Sequence, residues 1–165
     1  MLRRATVLVG LALVGVVSVS SAQTNVNTTT QCVGQFCYTT GTAGSETVNL
    51  TTQRIGQFEY TNGTVGSDSY NATKQRIGQF DYTSGSVGNQ PLNTTTQRIG
   101  QFDYTNGSVG NQPVSVTGQQ IGQFNYQNGT IGNGSFSATT QQIGQFEYGT
   151  GTATTPVYQY DPYDP

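Results

Sequence analysis

The 165-residue chain has no histidine and no tryptophan, a single lysine (Lys74), and only 8% Asp, Glu, Lys and Arg combined. Each shortage closes off a class of function. General acid–base chemistry needs titratable groups held in differentiated environments. The few acids here mostly duplicate one another, so no enzyme is expected. A metal site needs three or four ligands, and with only two cysteines, Cys32 and Cys37, and no imidazole, neither a metal nor a cofactor is expected. Phosphate loops and nucleophile elbows are also missing. The scarcity of Lys and Arg removes the basic footprint that nucleic acids and anionic membranes require. No window carries the 3.6-residue apolar spacing of a helix.

What is present begins with a leader pattern. Arg3 and Arg4 precede the apolar stretch ATVLVGLALVGVVSV, and Ser20-Ser21-Ala22 supplies small residues before Gln23. Residues 1–22 therefore read as a secretory signal peptide. The apolar run is broken by Gly and Ser and falls short of the ~20 residues of a membrane span. An extracellular or cell-surface protein is expected, with no span once the leader is cleaved. Without Arg3 and Arg4 the formal charge falls from −2 to −4.

From residue 23 to 152 the chain is a tandem repeat. Val33, Ile55, Ile77, Ile99, Ile121 and Ile143 fall 22 residues apart, and a Gly, Gln and Phe follow each of them. A Tyr stands two residues beyond every Phe, from Tyr38 to Tyr148. Strand formers punctuated by Gly and Asn point to an all-β fold of six 22-residue units, each a tight hairpin, stacked as a repetitive sheet. A single copy offers about five apolar side chains, such as Ile55, Phe58, Tyr60, Val65 and Tyr70. That is too little to offset the ordering of 22 residues, so copies must share faces and edges. Two turn signals compete for attention. The Asn-Gly pairs in TNGT (61–64) and TNGS (105–108) read as type I′ hairpin turns. Gly56-Gln57 reads as a two-residue turn with Gly in the first place, as type II′ requires. Gly78, Gly100, Gly122 and Gly144 occupy the same place.

That second turn sets Arg54 opposite Glu59, Arg76 opposite Asp81 and Arg98 opposite Asp103, where opposite charges help. Gln120 meets Asn125, whereas Gln142 with Glu147 departs from the pattern. In the first copy the two places hold Cys32 and Cys37. Their spacing suits a cross-strand disulfide, which would cap the exposed N-terminal end of the stack. Secretion supplies the oxidising compartment.

The spacing Thr95-x5-Gln101-x4-Asn106-x5-Gln112 resembles the Ser-x5-Gln-x4-Asn-x5-Gln pattern of the curlin repeat, also about 22 residues long, with Thr for Ser. The resemblance implies a strand-turn-strand coil, secretion and self-assembly into extracellular amyloid. It makes a β-solenoid the alternative architecture, with Gln97, Ile99 and Gln101 stacked on their counterparts in ladders.

Thr51, Thr73, Thr95, Thr117 and Thr139 also recur at the repeat period. A regular Thr array is compatible with binding ice or sugar, but Thr rows more often line the wet face of a sheet. Residues 153–165, ending in YQYDPYDP, read as a flexible acidic tail. The expected role is structural: a component of an extracellular layer, fibre or matrix that self-associates through open sheet edges. The alternative is a binding module for glycan or ice that uses the Thr and aromatic rows.

Overall fold

The computed structural model describes residues 23–154, all of them strand or tight turn apart from Gln23. Residues 1–22, read from the sequence as a signal peptide, and residues 155–165 of the expected tail lie outside the described residues. Twelve strands follow in order: β1 (Thr24–Val33), β2 (Phe36–Ala43), β3 (Glu46–Ile55), β4 (Phe58–Val65), β5 (Asp68–Ile77) and β6 (Phe80–Val87). They continue as β7 (Gln90–Ile99), β8 (Phe102–Val109), β9 (Gln112–Ile121), β10 (Phe124–Ile131), β11 (Gly134–Ile143) and β12 (Phe146–Thr154). Each strand pairs antiparallel with the next, and β12 returns to pair with β1, closing the sheet into a barrel. The fold is all-β and built of hairpin units, with no free strand edge among the described residues. The N-terminal repeat is therefore not an exposed end, because it is bonded to the last one. Ala153 and Thr154, expected to begin the acidic tail, instead complete β12.

The Gly-Gln turn of all six repeats, and the second turn that follows each of the first five, have two residues led by glycine. Ile55 faces Phe58 across Gly56-Gln57, and Gly56 has φ +61°. This is the left-handed region required at the first position of a primed hairpin turn. The Gln57 carbonyl accepts a hydrogen bond from the Arg76 N–H at 3.2 Å, so each turn is tied to the following hairpin. The other turn falls at Gly66-Ser67, with Val65 opposite the strand start at Asp68 and Gly66 at φ +60°. The Asn-Gly turns expected at 61–64 and 105–108 do not form. Asn62-Gly63 lies inside β4 and Asn106-Gly107 inside β8. These glycines answer a different demand. A Cβ on Gly107 would sit 2.0 Å from the Asn93 carbonyl oxygen and 2.6 Å from the Thr94 Cα, so the neighbouring strand approaches a bare backbone.

The register slips steadily. Arg54 faces Glu59 and Glu59 faces Lys74, two residues short of Arg76, the repeat counterpart of Arg54. A two-residue slip per repeat, taken over six repeats, gives a stagger of twelve for twelve strands. Such a stagger tilts strands against the barrel axis by roughly 35–45°. The solenoid alternative is excluded by the same pairing: Ile77 and Ile99 lie two strands apart, with β6 between them, and do not stack in a ladder.

Alternation along the strands sorts residues into wall faces. Val48, Val65, Tyr70, Val87, Leu92 and Val109 are buried on the inner face near the Gly-Ser and Gly-Asn turns. Above them come the inner glycines, then threonines such as Thr30, Thr39, Thr52 and Thr105, also buried. Thr30–Thr39 and Thr96–Thr105 join hydroxyls at 2.8 and 2.7 Å. Of the five side chains expected in the core of one repeat, Val65 and Tyr70 are buried. Ile55 is 53% exposed, Tyr60 36%, and Phe58 half-buried, all on the outer face. Arg54 and Glu59, which flank Ile55 and Phe58, share the inner register of Val65, so Ile55 and Phe58 point outward.

These glycines separate by mechanism. Gly107→Ala should lower stability by about 1–3 kcal/mol through overpacking against β7. Gly100→Ala, with φ +62° but open space around it, should cost about 1 kcal/mol of backbone strain. Urea denaturation of the two variants checks the order, and Gly107→Ala being the milder change would overturn the close-approach account.

Candidate functional site

The charges are distributed against the usual rule. Among the described residues the charged side chains are Glu46, Arg54, Glu59, Asp68, Lys74, Arg76, Asp81, Arg98, Asp103 and Glu147. All of them fall on the inward register, paired with or level with buried residues such as Ala43, Val65 and Thr83. The outer wall of the described barrel therefore has no formal charge. It presents Thr, Ser, Asn and Gln, with Thr51, Thr73, Thr95 and Thr139 half-buried and Thr117 exposed in one row.

At the rim of the Gly-Gln turns the outer wall changes character. Val33 and five isoleucines, 53–58% exposed, stand beside six Phe and six Tyr that circle the barrel as a collar. Two residues apart on one strand, each Phe and Tyr bring their ring centroids to 6.1–6.5 Å, from Phe58–Tyr60 to Phe36–Tyr38. The collar spans only two outward levels, Ile55 with Phe58 and then Gln53 with Tyr60, before Thr51 and Asn62 resume the polar wall. At ~3.3 Å per residue it is roughly 10 Å tall. The apolar band of a membrane-spanning barrel is about 25 Å. No helix among the described residues is long and apolar enough to cross a membrane.

Behind the collar, the inner face of the same rim carries the paired positions read from the sequence. Cys32 and Cys37 form a disulfide, with Cα atoms 4.0 Å apart. It lies at this mouth and joins β2 to β1, the strand that closes the barrel on β12. Arg54 is ion-paired with Glu59. Arg76 holds Asp81 through two bonds, Nε to Oδ1 and Nη2 to Oδ2, both 2.6 Å. Arg98 holds Asp103 in the same way at 2.6 and 2.8 Å. These pairs lie on the inner face of the wall. Their carboxylates are largely covered, at 10%, 16% and 24% exposure. Gly56, Gly78, Gly100, Gly122 and Gly144 lead the turns above them, all with φ near +60°.

Lys74 is the residue that the sequence reading passed over. It occupies the place held by Thr52, Thr96 and Thr140 in other repeats, and the stagger sets it beside Glu59, with which it is ion-paired. Glu59 thus serves two cations. The available signal was a departure from the repeat: Lys stands where the other copies have Thr or Gly. Burial is the largest influence on the Lys74 ammonium and pushes it down to about 8. The Asp81 carboxylate opposes that shift, and the guanidiniums of Arg76, Arg54 and Arg98 add to it. Burial works to raise the Asp81 carboxyl, but the Arg76 hydrogen bond and the charges of Lys74, Arg76 and Arg98 hold it below its usual value. No group of three or more metal-ligating side chains converges among the described residues.

No protein-family model, curated protein or solved structure matches this chain. Its functional reading rests on the wall chemistry.

Stability should follow Lys74 and Tyr70 at alkaline pH. The unfolded chain binds more protons than the folded one between pH 8 and about 10.5, so stability rises with pH across that window. Burial raises the Tyr70 hydroxyl to about 12, so the folded chain is the better proton binder from pH 10 upward and stability then falls. Urea midpoints measured from pH 7 to 12 should pass through a maximum near pH 10. In Lys74→Met the rising limb should vanish, and a wild-type limb that falls from pH 8 would refute the assignment.

Proposed function

We propose that this is a secreted structural repeat protein of an extracellular or cell-surface layer, fibre or matrix, whose barrels associate with copies of themselves. The observation that carries this reading is the uncharged outer wall with its aromatic collar. Surface charge is what ordinarily keeps soluble proteins apart. Here it is turned inward, and a belt of Ile, Phe and Tyr remains at the rim. Two copies meeting at their walls desolvate hydroxyls and amides, which can bond across the contact, and bury rings without stripping water from any ion. Association by edge pairing, the route first expected, has no free strand in a closed barrel, so the contact passes to side chains.

Several sequence features support the setting. The leader pattern at 1–22 and the Cys32–Cys37 disulfide suit an oxidising compartment. The curlin-like spacing in the fourth repeat is compatible with an assembling extracellular protein. The dearth of catalytic groups favours a structural role over an enzymatic one, with no cofactor and no nucleic acid as partner.

The second reading, a glycan-binding module, is favoured by one observation. The six exposed Phe–Tyr pairs offer adjacent ring faces of the kind on which sugar rings stack. A glycan array separates it from self-association.

Sedimentation velocity tests the main reading. The mature chain should form larger species as concentration rises from micromolar to millimolar, with little change on adding 0.5 M salt, since the contact holds no ions. Phe80→Ser/Phe102→Ser/Phe124→Ser should weaken association at least tenfold while leaving the far-UV spectrum intact. A wild-type chain that stays monomeric throughout would overturn the proposal. Sequencing of the exported product should find Gln23 at its N-terminus.

A further inference from the structure

The inner mouth at the Gly-Gln rim differs around its circumference. From β3 to β8 every hairpin places an Arg–carboxylate pair there. The remaining hairpins place the Cys32–Cys37 disulfide, Gln120 with Asn125, and Gln142 with Glu147. Within the charged arc the cations form the outer layer. The Arg54, Arg76 and Arg98 side chains are 36%, 42% and 51% exposed, and each is more open than its carboxylate. Lys74 lies deeper and shares Glu59 with Arg54. The arc thus sets four cations, Arg54, Lys74, Arg76 and Arg98, against the carboxylates of Glu59, Asp81 and Asp103. A recess of about 330 Å³ opens among Arg54, Glu59, Lys74, Arg76 and Asp81, bordered by the Gly56 and Gly78 turns.

We infer that this arc is a binding site for an oxyanion: a carboxylate, sulfate or phosphate group. A guanidinium has five N–H donors in a planar fork. Arg76 commits two of them to Asp81 and Arg98 two to Asp103, which leaves further donors on side chains that are 42% and 51% exposed. An anion entering from solvent meets these forks before it meets any carboxylate. Its charge offsets the excess cation that Lys74 brings to the cluster. The recess is far larger than a sulfate ion, so the anionic group can be free or carried on a sugar. Around the rest of the mouth, Gln120, Asn125 and Gln142 present amides in place of guanidiniums, which marks the site as local to β3–β8. The site faces inward, so it stands independently of association through the outer wall.

The test is titration of the full mature chain with sodium sulfate and sodium phosphate, against sodium chloride at matched ionic strength, following the backbone amides of Gly56 and Gly78 by NMR. Sulfate or phosphate should give saturable shifts at these amides that chloride does not. Arg76→Gln should weaken binding at least tenfold. Gln stands at the matching positions 120 and 142, so the barrel accommodates that change, and the far-UV spectrum verifies it. Asp81→Asn, which releases Arg76, should tighten binding about threefold or more. A sulfated tetrasaccharide, run beside its desulfated form, identifies the source. Binding more than tenfold tighter than inorganic sulfate assigns an acidic glycan, and equal binding assigns the free anion, either result upholding the site. Shifts no larger than those from chloride, or unchanged binding in both variants, would overturn it.

Discussion

Closure of the sheet depends on one constraint: the last strand must meet the first in the same register as every other pair. Thr24 to Gln31 of β1 pair with Ala153 to Phe146 of β12, in the offset by which Gln53 of β3 meets Phe36 of β2. A single inserted residue in any repeat would break that agreement and turn inward-facing side chains outward from that point on. The invariance of the 22-residue period along this chain is thus a geometric necessity. The bare inner glycines belong to the same constraint, since a Cβ at Gly107 would push β8 away from the backbone of β7.

Given closure, the division of chemistry between the two wall faces follows. Apolar side chains fill the inner face at one end, hydroxyls occupy the middle, and ion pairs line the β3–β8 arc of the Gly-Gln mouth. Arg54, Arg76 and Arg98 would repel if stacked on one another, but alternation of hairpin strands places an acid-bearing strand between each pair of Arg-bearing strands. Removing Glu59 would leave Arg54 and Lys74 both without that carboxylate in a partly covered site, a costlier loss than breaking an exposed pair. The outer wall is freed of charge by the same arrangement and presents amides, hydroxyls and rings.

Much of this was legible in the sequence. The period, the all-β character, the Gly56-Gln57 turn and the opposition of positions 54 and 59 all follow from local pattern and turn chemistry. Three features were not. Asn62-Gly63 carries the commonest local turn signal, yet its glycine is needed where strands crowd, and a dipeptide cannot report its neighbour's backbone. The inner and outer faces were exchanged for Ile55, Phe58 and Tyr60, because apolar identity suggests burial while only the register with Val65 decides it. Closure was beyond reach, since pairing between residues near 24 and 153 leaves no trace in either segment. Lys74 was visible as a break in the repeat but gained meaning only when the stagger set it against Glu59.

The constant stagger also makes the repeat a ruler for the bore. Each added or deleted copy brings two strands and two residues of slip together, so tilt is preserved while the diameter grows or shrinks with strand number. Gain or loss of one repeat unit in the coding sequence would yield a wider or narrower barrel of the same wall. Barrel width in this architecture is thereby a heritable count of repeats.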